Sequence, residues 1–347
     1  MLVVIIGAGI VGLHTARVFQ ERGDEVYLLE TASSLGEETS GRNSGVIHSG
    51  VFYKPGSFKE KVCIEGNRFT YQWLRELNVN HQACGKWIVP EEGQEADLET
   101  FLARIENLPI TKPQLLSPKQ LSRQEPLLRP TQAIFIPSTG LVDAAGYLKS
   151  MAVYLEERGV HIILGCRVTG LRGERALETE RGEIPFDLAI NAAGLYADEV
   201  ARWSGLNEYE IRPCRGDYYL LNQQPLQRPV YHLPNRSAHG LGVHLTPTLD
   251  GQTLVGPNAF FIREKSNYSP LSSIEDFQRS VRFYLPHLKD FSLSQGYSGN
   301  RPKLFRAGQP VGEFILKKKG NWIHALGIES PGLTAAPALA REILRLL

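Results

Sequence analysis

The order of apolar and polar positions predicts a strand, a helix and a second strand at the start of the chain. Leu2–Ile6 is a short, continuous apolar run, as in a strand buried on both faces of a parallel sheet. Apolar residues then recur at helical spacing to about Arg22, and Gly23 follows as the helix cap. Glu25–Leu29 is a second, mostly apolar run. Together they predict a β-α-β unit that ends at Glu30.

Beyond this unit, a polar loop interrupts the pattern before helices and strands alternate again. The loop covers residues 31–56 and is rich in serine, glycine and threonine. Helical spacing predicts helices at residues 58–77, 144–158, 195–203 and 332–347. Strand patterns occur at residues 86–89, 161–164, 187–191, 217–221 and 242–246. Between residues 212 and 297 the alternation predicts a mostly antiparallel sheet.

These elements predict an α/β fold with two interleaved domains, which agrees with a length of 347 residues. A Rossmann-type dinucleotide-binding domain takes residues 1–77, 138–210 and 298–347. An α+β substrate domain, built on the mostly antiparallel sheet, takes residues 78–137 and 211–297.

Charge and cysteine content restrict the partners of the chain. Its 38 Lys and Arg against 37 Asp and Glu give a formal net charge of +1, so no net field holds a polyanion such as DNA. Four separated cysteines favour a reducing compartment. The apolar start lacks the basic flank and cleavage pattern of a signal peptide, and no apolar run reaches about 18 residues. We expect a cytoplasmic protein without a transmembrane segment, with peripheral contact with the inner membrane left open.

The turn after the first strand, GAGIVG at residues 7–12, carries the first candidate chemistry. Gly7 makes the turn, Gly9 lets the backbone approach a pyrophosphate, and Gly12 lets the helix pack closely on the strand. Helix N–H groups then face the phosphates. Glu30, 23 positions after Gly7, accepts hydrogen bonds from ribose hydroxyls. A glycine-rich turn with a purely structural role is the alternative.

Three further segments favour FAD over NAD. The polar loop Glu37–Gly50 contains three glycines at a place where an NAD-binding domain normally continues into its next β-α-β unit. Residues 187–194 form a predicted strand that ends in small residues, which suits a backbone lying against a cofactor. Gly332-Leu333-Thr334 starts the last helix, whose partial positive charge stabilises a reduced isoalloxazine near N1 and C2=O. A plain helix cap is the alternative for this segment.

A series of motifs along nearly the whole chain carries a family resemblance. In order, they are GAGIVG, Glu30, TSGRNSGVIHSGVFYKPGS, DLAINAAGLYAD, RPCRGDYYLL, GVHLTP, RPKL and GIESPGLT. They resemble the FAD-dependent D-amino-acid-oxidase superfamily and, within it, most closely the L-2-hydroxyglutarate dehydrogenase/oxidase family. The resemblance implies a fold related to glycine oxidase, bound FAD, and oxidation of L-2-hydroxyglutarate or a close 2-hydroxy acid to the 2-oxo acid.

Motifs and resemblance together place the FAD contacts on the turn, the polar loop and the later segments. These predicted contacts are Gly7, Ala8, Gly9, Ile10, Val11, Gly12, Glu30, Thr31, Ser40, Arg42, Asn43, Ser44, Gly45, Val46, Val168, Ala192, Ala193, Gly194, Gly332, Leu333 and Thr334.

Oxidation of a 2-hydroxy acid requires a flavin N5 that accepts hydride, a base for the hydroxyl proton, and cations for the carboxylates. His48 and His244 are the candidate bases because each lies in a family motif. We favour His244, on a predicted strand of the substrate sheet, and a core histidine is the alternative for each. His48 has a third interpretation, implied by the resemblance: related dehydrogenases tether the flavin covalently through a histidine at a similar position.

Carboxylate binding favours Arg301, because the planar guanidinium pairs bidentately, and Lys303 is the second candidate. Tyr53 and Lys54 follow the polar loop Glu37–Gly50 (the cofactor loop) and can reach the same pocket as Arg301 and Lys303. Solvated surface positions are the alternative for Arg301 and Lys303, and a turn position for Lys54. This much positive charge favours a 2-hydroxy diacid. An amino or imino acid oxidase of the glycine oxidase type and a non-catalytic FAD-binding protein are the other hypotheses.

Other cofactors find less support in the sequence. With one dinucleotide fingerprint and no second Rossmann unit, we expect NAD(P)H neither to reduce nor to reoxidise the flavin. Oxygen, a quinone or a redox protein stay open as electron acceptors. The chain has no HExxH motif, no P-loop and no Cys/His ligand cluster, so we expect neither metal nor P-loop chemistry.

Overall fold

The computed structural model describes residues 1–234 and 242–347. Its helices are α1 (Ile10–Glu21), α2 (Phe58–Glu76), α3 (Glu95–Ile105), α4 (Pro118–Gln124), α5 (Ala144–Glu156), α6 (Ala197–Trp203), α7 (Ile274–Tyr284) and α8 (Gly332–Leu344). A short 3-10 turn, Gly194–Tyr196, leads into α6. The helices predicted from periodicity are confirmed, with ends that differ by a few residues. In this described part, no helix is long and apolar enough to cross a membrane.

The first sheet is the parallel sheet that the opening pattern predicts. With strands numbered in chain order, its neighbours are β21 (Ile315–Lys319), β22 (Trp322–Leu326), β13 (Leu188–Asn191), β1 (Leu2–Ile6), β2 (Glu25–Leu29) and β9 (His161–Ile163). Neighbouring strands run parallel, except that β21 pairs antiparallel with β22. The Rossmann-type arrangement is therefore confirmed.

Both faces of β1 are covered, which explains its unbroken apolar sequence. Val3 and Ile5 belong to a core built with helices α1, α5 and α8. Val4 and Ile6 point the other way and pack with Val168. That residue lies on a small antiparallel sheet of β10 (Val168–Arg172), β11 (Ala176–Thr179) and β12 (Gly182–Pro185).

The second large sheet is mostly antiparallel, as predicted. Its strands lie in the order β20 (Gln309–Pro310), β19 (Leu293–Arg306), β14 (Tyr209–Leu221), β17 (Thr253–Val255), β16 (Leu245–Pro247), β15 (Val230–His232), β5 (Lys86–Val89), β7 (Ala133–Ile136) and β6 (Gln114–Leu116), and β18 (Phe260–Phe261) pairs with β14. The pair β15 and β5 is parallel. Helix α7 covers this sheet with Phe277, Val281 and Tyr284.

A third, small sheet joins the cofactor loop to the rest of the molecule. It consists of β3 (Val46–Ile47), β8 (Gly140–Val142) and β4 (His81–Gln82), all paired antiparallel through β8. The pairing of β3 with β8 therefore anchors the second half of the loop predicted between β2 and α2.

The second sheet bears on two expectations, the strand predicted around His244 and the division into domains. The strand predicted at residues 242–246 begins at Leu245, so His244 lies just before the strand rather than on it. Gly242 has a φ of +76°, a left-handed conformation that a strand does not accommodate. The division into two domains stays a prediction, and its boundaries after residue 210 and before residue 298 fall inside β14 and β19.

The long strands β14 and β19 pair along nearly their whole length and bring the second sheet against the cofactor loop. The Tyr297 hydroxyl donates to the Asn43 carbonyl oxygen over 2.6 Å. Thr39 Oγ1 donates to the Asn300 carbonyl oxygen over 3.1 Å. These contacts fix the loop between the two sheets, where the functional site lies.

Candidate active site

A cavity of about 1550 Å³ lies where the carboxyl ends of the parallel strands meet the second sheet. Its lining includes Ile6 and Leu29, at the ends of β1 and β2, and also Tyr218 of β14 and Arg301 of β19. Ligands of open α/β sheets bind outside the carboxyl ends of the strands. The cavity also exceeds the volume that drug-sized ligands usually occupy, so it can hold a dinucleotide together with a substrate.

The cavity brings together most of the residues that the sequence singles out. Those on its wall are Gly7, Ala8, Gly9, Ile10, Val11, Glu30, Thr31, Ser40, Arg42, Asn43, Ser44, Val46, His48, Tyr53, Val168, Ala192, Ala193, Gly194, His244, Arg301, Lys303, Gly332 and Leu333. Direct contact between these side chains and a cofactor or substrate stays a prediction.

Gly12, Gly45 and Thr334 support the wall from behind rather than line it. A side chain on Gly12 would collide with the Gly7 carbonyl oxygen, and one on Gly45 with the Val142 carbonyl oxygen. The Thr334 hydroxyl accepts from the His48 backbone N–H over 2.9 Å. These residues have packing and hydrogen-bonding roles in the structure, and their contact with a cofactor stays a prediction. Lys54 is exposed and lies outside the cavity wall.

Glu30 organises the glycine-rich turn. One carboxylate oxygen accepts from the Ala8 N–H and the other from the Ala32 N–H, each over 2.9 Å. The Ser40 hydroxyl accepts from the Ile10 N–H over 3.1 Å, at the start of α1. Each oxygen of Glu30 retains a second lone-pair site, so the carboxylate that holds the turn can also accept from a ribose hydroxyl.

The polar loop is shaped by Asn43 and Arg42. The Asn43 amide donates to the carbonyl oxygens of Thr39 and Ser40, and its side-chain oxygen accepts from the Gly45 N–H. The Arg42 guanidinium lies 4.3 Å from the centre of the Tyr268 ring. Asn43 thereby fixes the turn, and Arg42 keeps a cation on the cavity wall.

Glu38 is a second carboxyl on the wall near Glu30. Burial and then the nearby Glu30 carboxylate raise the pKa of Glu38 to about 7, against the opposing effect of Arg42. At neutral pH this group is partly protonated, which lowers its repulsion toward a diphosphate.

The residues present fit FAD. The turn at residues 7–12 and the N-terminus of α1 form a cradle for a diphosphate. The Tyr268 hydroxyl is buried on the cavity wall with no hydrogen-bond partner among the described residues, so a ligand atom can satisfy it. Gly332 starts α8 on the same wall, where the helix N-terminus supplies a partial positive charge to an isoalloxazine.

His244 also lines the cavity, in an orientation that two contacts fix. Its Nδ1 is 3.0 Å from the Gly242 carbonyl oxygen, and its ring stacks on Tyr231 with ring centres 3.8 Å apart. Because a carbonyl oxygen only accepts, Nδ1 carries the proton and Nε2 holds the lone pair. Burial and the nearby cations, Arg301 first and Lys86 second, lower the pKa of His244 to about 3, so the ring is neutral at physiological pH.

His48 faces Ser330, with 3.2 Å between Nε2 and the Ser330 hydroxyl oxygen. Burial, followed by the charges of Lys86 and His244, lowers the pKa of His48 to about 3. Burial also raises the pKa of Tyr53 well above its usual value, although a hydrogen bond with Ser330 opposes the shift. His48 and Tyr53 therefore meet at one serine, and both are uncharged at neutral pH.

The two candidate cations differ in their partners. Arg301 Nη1 donates to the carbonyl oxygens of Arg215 and Asn258 over 3.3 and 3.2 Å, and no carboxylate of the described residues pairs with it. Lys303 Nζ lies 2.8 Å from one carboxylate oxygen of Glu329, and Lys59 Nζ lies 3.0 Å from the other. Arg301 thus keeps an uncompensated positive charge, whereas Glu329 neutralises much of the charge of Lys303.

Burial raises the pKa of Glu329, but Lys59 and Lys303 outweigh burial and hold the pKa below its ordinary value. The site residues predicted from the sequence do not include Glu329, Lys59, Glu38 or Tyr231. Glu329 stands inside the GIESPGLT motif, which was a usable signal. Lys59 lies 270 positions from Glu329 in the sequence, so no local sequence pattern predicts this ion pair.

Comparison with known proteins identifies the family. The family model described as FAD dependent oxidoreductase matches residues 3–346. The chain belongs to this family of FAD-dependent oxidoreductases. The predicted cofactor and the expected enzyme class are confirmed.

Individual proteins are similar to this chain over almost its whole length. L-2-hydroxyglutarate dehydrogenase of Escherichia coli is 33% identical over 388 residues, which cover 98% of this chain and 92% of the relative. The structure of dithionite-reduced L-α-glycerophosphate oxidase from Mycoplasma pneumoniae with FAD bound superimposes with a TM-score of 0.86 at 27% identity, covering 100% and 95% of the two chains. Glycine oxidase from Geobacillus kaustophilus has a TM-score of 0.86 at 17% identity, covering 99% and 93%, and confirms the predicted fold.

Glu30→Gln tests the role of Glu30 in holding the cofactor turn. The amide keeps one acceptor oxygen but turns an NH₂ group toward the other backbone N–H, which loses its partner at a cost of about 1–3 kcal/mol. We expect FAD to bind about tenfold or more weakly, measured by flavin fluorescence quenching as the apoprotein is titrated. Glu25→Gln, on an exposed residue at the start of the strand that precedes Glu30, is the control and should leave the affinity unchanged. Equal FAD affinity in the Glu30 variant and the wild type would contradict this role.

Proposed function

We propose that this FAD-dependent oxidoreductase oxidises L-2-hydroxyglutarate, or a close 2-hydroxy acid, to the corresponding 2-oxo acid. The observation that carries the proposal is that an unneutralised Arg301 and a neutral His244 line the same cavity, close enough for the charge of Arg301 to lower the pKa of His244. A carboxylate and a hydroxyl on adjacent carbons fit such a pair. The name of the Escherichia coli relative, L-2-hydroxyglutarate dehydrogenase, supports the same substrate.

In this proposal Arg301 binds the substrate carboxylate. Two carbonyl oxygens fix its Nη1, so the guanidinium is held in place before the substrate arrives. A planar guanidinium can then form two parallel hydrogen bonds with a carboxylate. Lys303, tied to Glu329, contributes to the positive field but is not free to swing onto the substrate without breaking that ion pair.

His244 accepts the hydroxyl proton through Nε2. Bound FAD would supply the acceptor for the hydride that leaves C2 of the substrate. The electron pair of the O–H bond then becomes the second C–O bond of the 2-oxo acid. A histidine with a pKa of about 3 is a weak base. The carboxylate charges of a bound substrate oppose Arg301 and Lys86, so they raise the pKa of His244 only when the substrate is present.

The electron acceptor belongs to the same proposal. Oxygen, a quinone or a redox protein takes the electrons from the reduced enzyme, and NAD(P)⁺ does not. The support is that the sequence carries one dinucleotide fingerprint, and this lies on the wall of the FAD cavity.

Anaerobic mixing with candidate substrates tests the proposed function. We expect L-2-hydroxyglutarate to bleach the flavin absorbance rapidly, with 2-oxoglutarate formed in equal amount to the flavin reduced. Glycine, sarcosine and D-amino acids are the comparison set. Faster bleaching by any of them would favour an amino or imino acid oxidase, and no bleaching by any compound would favour a non-catalytic FAD-binding protein.

Arg301→Ala should raise KM for the 2-hydroxy acid steeply, because loss of a buried charge-assisted pair costs about 2–5 kcal/mol. The flavin absorbance spectrum should stay unchanged, since the altered group faces the substrate. Lysine at this position should restore little, because it lacks the planar fork. Arg306→Ala, at the exposed end of the same strand, serves as the control. A normal KM in the Arg301 variant would remove this residue from the binding site.

His244→Gln should lower kcat by about 10²–10⁴-fold if this residue is the base. The remaining rate should rise with pH, because hydroxide then takes the proton. Steady-state kinetics of His244→Gln and His48→Gln, compared side by side, assign the role. An unchanged kcat in the His244 variant would transfer it to His48, and loss of a covalent flavin band from a denaturing gel in the His48 variant would assign His48 to tethering.

A further inference from the structure

A buried lysine without a carboxylate partner lies next to the proposed substrate end of the cavity. Lys86 is the first residue of β5 and is 1% exposed. In the described ranges, no carboxylate or carbonyl oxygen accepts a hydrogen bond from its ammonium. Instead Nζ lies 3.9 Å from the centre of the Phe52 ring and 4.9 Å from that of Tyr231.

Such a position is unfavourable for folding. Removing an ammonium from water costs free energy unless an anion compensates its charge. Attraction to two aromatic faces offsets only part of this desolvation penalty. An apolar side chain of similar length, such as methionine, would fit the same space without the penalty. Strongly perturbed buried charges cluster at functional sites, which makes Lys86 a candidate member of the site.

Phe52 and Tyr231 connect Lys86 to the cavity. Both rings line the cavity, and Tyr231 also stacks on His244 with ring centres 3.8 Å apart. The ammonium therefore lies one ring behind the wall that faces the proposed base. The electric field of the ammonium reaches the cavity through these rings, because a thin apolar layer screens charge poorly.

The other cations near this end have partners. Lys59 and Lys303 share the Glu329 carboxylate. Arg301 and Lys86 form no ion pair with a carboxylate of the described residues, and they come from β19 and β5 of the same sheet. Two separated positive charges match a substrate with two carboxylates.

We infer that Lys86 determines substrate specificity: acting through the Phe52–Tyr231 pair, its charge supplies the second cationic field, which favours a 2-hydroxy dicarboxylate over a 2-hydroxy monocarboxylate. This inference rests on the proposed function. It also replaces Lys303, the second cation suggested by the sequence, with a residue that no motif marks.

The pH dependence of binding offers a direct test, because burial lowers the pKa of Lys86 to about 7 against the opposing effect of Cys63. The titratable groups that face it are Cys63 from α2, His48 from the cofactor loop, Tyr231 from β15 and His244. His48 and His244 have a pKa of about 3, and burial raises the pKa of Cys63 and Tyr231 above their usual values. Of these five groups, Lys86 alone changes charge near neutral pH. It is cationic below about pH 7, so KM for a dicarboxylate should rise as the pH increases through that value.

Lys86→Met and Lys86→Arg separate the charge from the packing. We compare kcat/KM for L-2-hydroxyglutarate and for L-2-hydroxypentanoate, which has the same chain length and one carboxylate. At pH 6, Lys86→Met should lose about tenfold or more with the diacid and less than about twofold with the monoacid. Lys86→Arg should keep the wild-type preference at pH 6 and lose the rise in KM above pH 7, because arginine stays charged. Lys119→Met, on an exposed residue of α4, is the matched control.

Flavin content and the midpoint of thermal unfolding show whether each variant is folded, and Lys86→Met should unfold at no lower temperature than the wild type. The wild-type pH profile tests the inference even if a variant fails to fold. A folded Lys86→Met enzyme with unchanged preference, or a wild-type KM for the diacid that stays flat between pH 6 and 8.5, would overturn the role of Lys86. A wild-type enzyme that reacts with amino acids and not with 2-hydroxy acids would overturn the proposed function instead.

Discussion

Burial of charge is the constraint on which the cavity depends. Each ion removed from water must be paired, hydrogen-bonded or placed against a polarisable group, and the wall shows all three solutions. Glu329 lies between Lys59 and Lys303, Arg301 donates to two carbonyl oxygens, and Lys86 lies against two aromatic rings. The partner of each cation determines how much of its positive charge remains available to a ligand.

The two large sheets supply these charges from different directions. The carboxyl ends of β1 and β2 present the glycine-rich turn and Glu30, whereas β19 presents Arg301 and Lys303 as alternate residues on one face. The hydrogen bonds from Tyr297 and Thr39 join the cofactor loop to this strand region. A displacement of β19 would therefore disturb the cofactor loop together with Arg301 and Lys303, which couples the two halves of the cavity mechanically.

Sequence alone predicts the parts of this structure that local chemistry determines. The continuous apolar run of β1, the turn at residues 7–12 and Glu30 are found because strand, turn and acidic residue follow each other within one unit. Most predicted contacts lie on the cavity wall for the same reason. The pairing of Lys303 with Glu329 and Lys59 was missed, since it joins residues brought together by the fold. Lys86 was missed because a lysine at the start of an apolar strand usually lies at the surface, and only the packing of Phe52 and Tyr231 shows otherwise.

The same charges explain why the site is suited to an anion before one is bound. Two histidines are neutral because burial and nearby cations disfavour their protonation, and Arg301 and Lys86 hold positive charge that no carboxylate of the described residues offsets. An anionic ligand relieves the repulsion among these cations and raises the basicity of His244 in one step. Since the relief occurs only in the folded protein, ligand binding also stabilises the fold. Affinity for the anion, activation of the base and stability of the complex are then three consequences of one arrangement of buried charge.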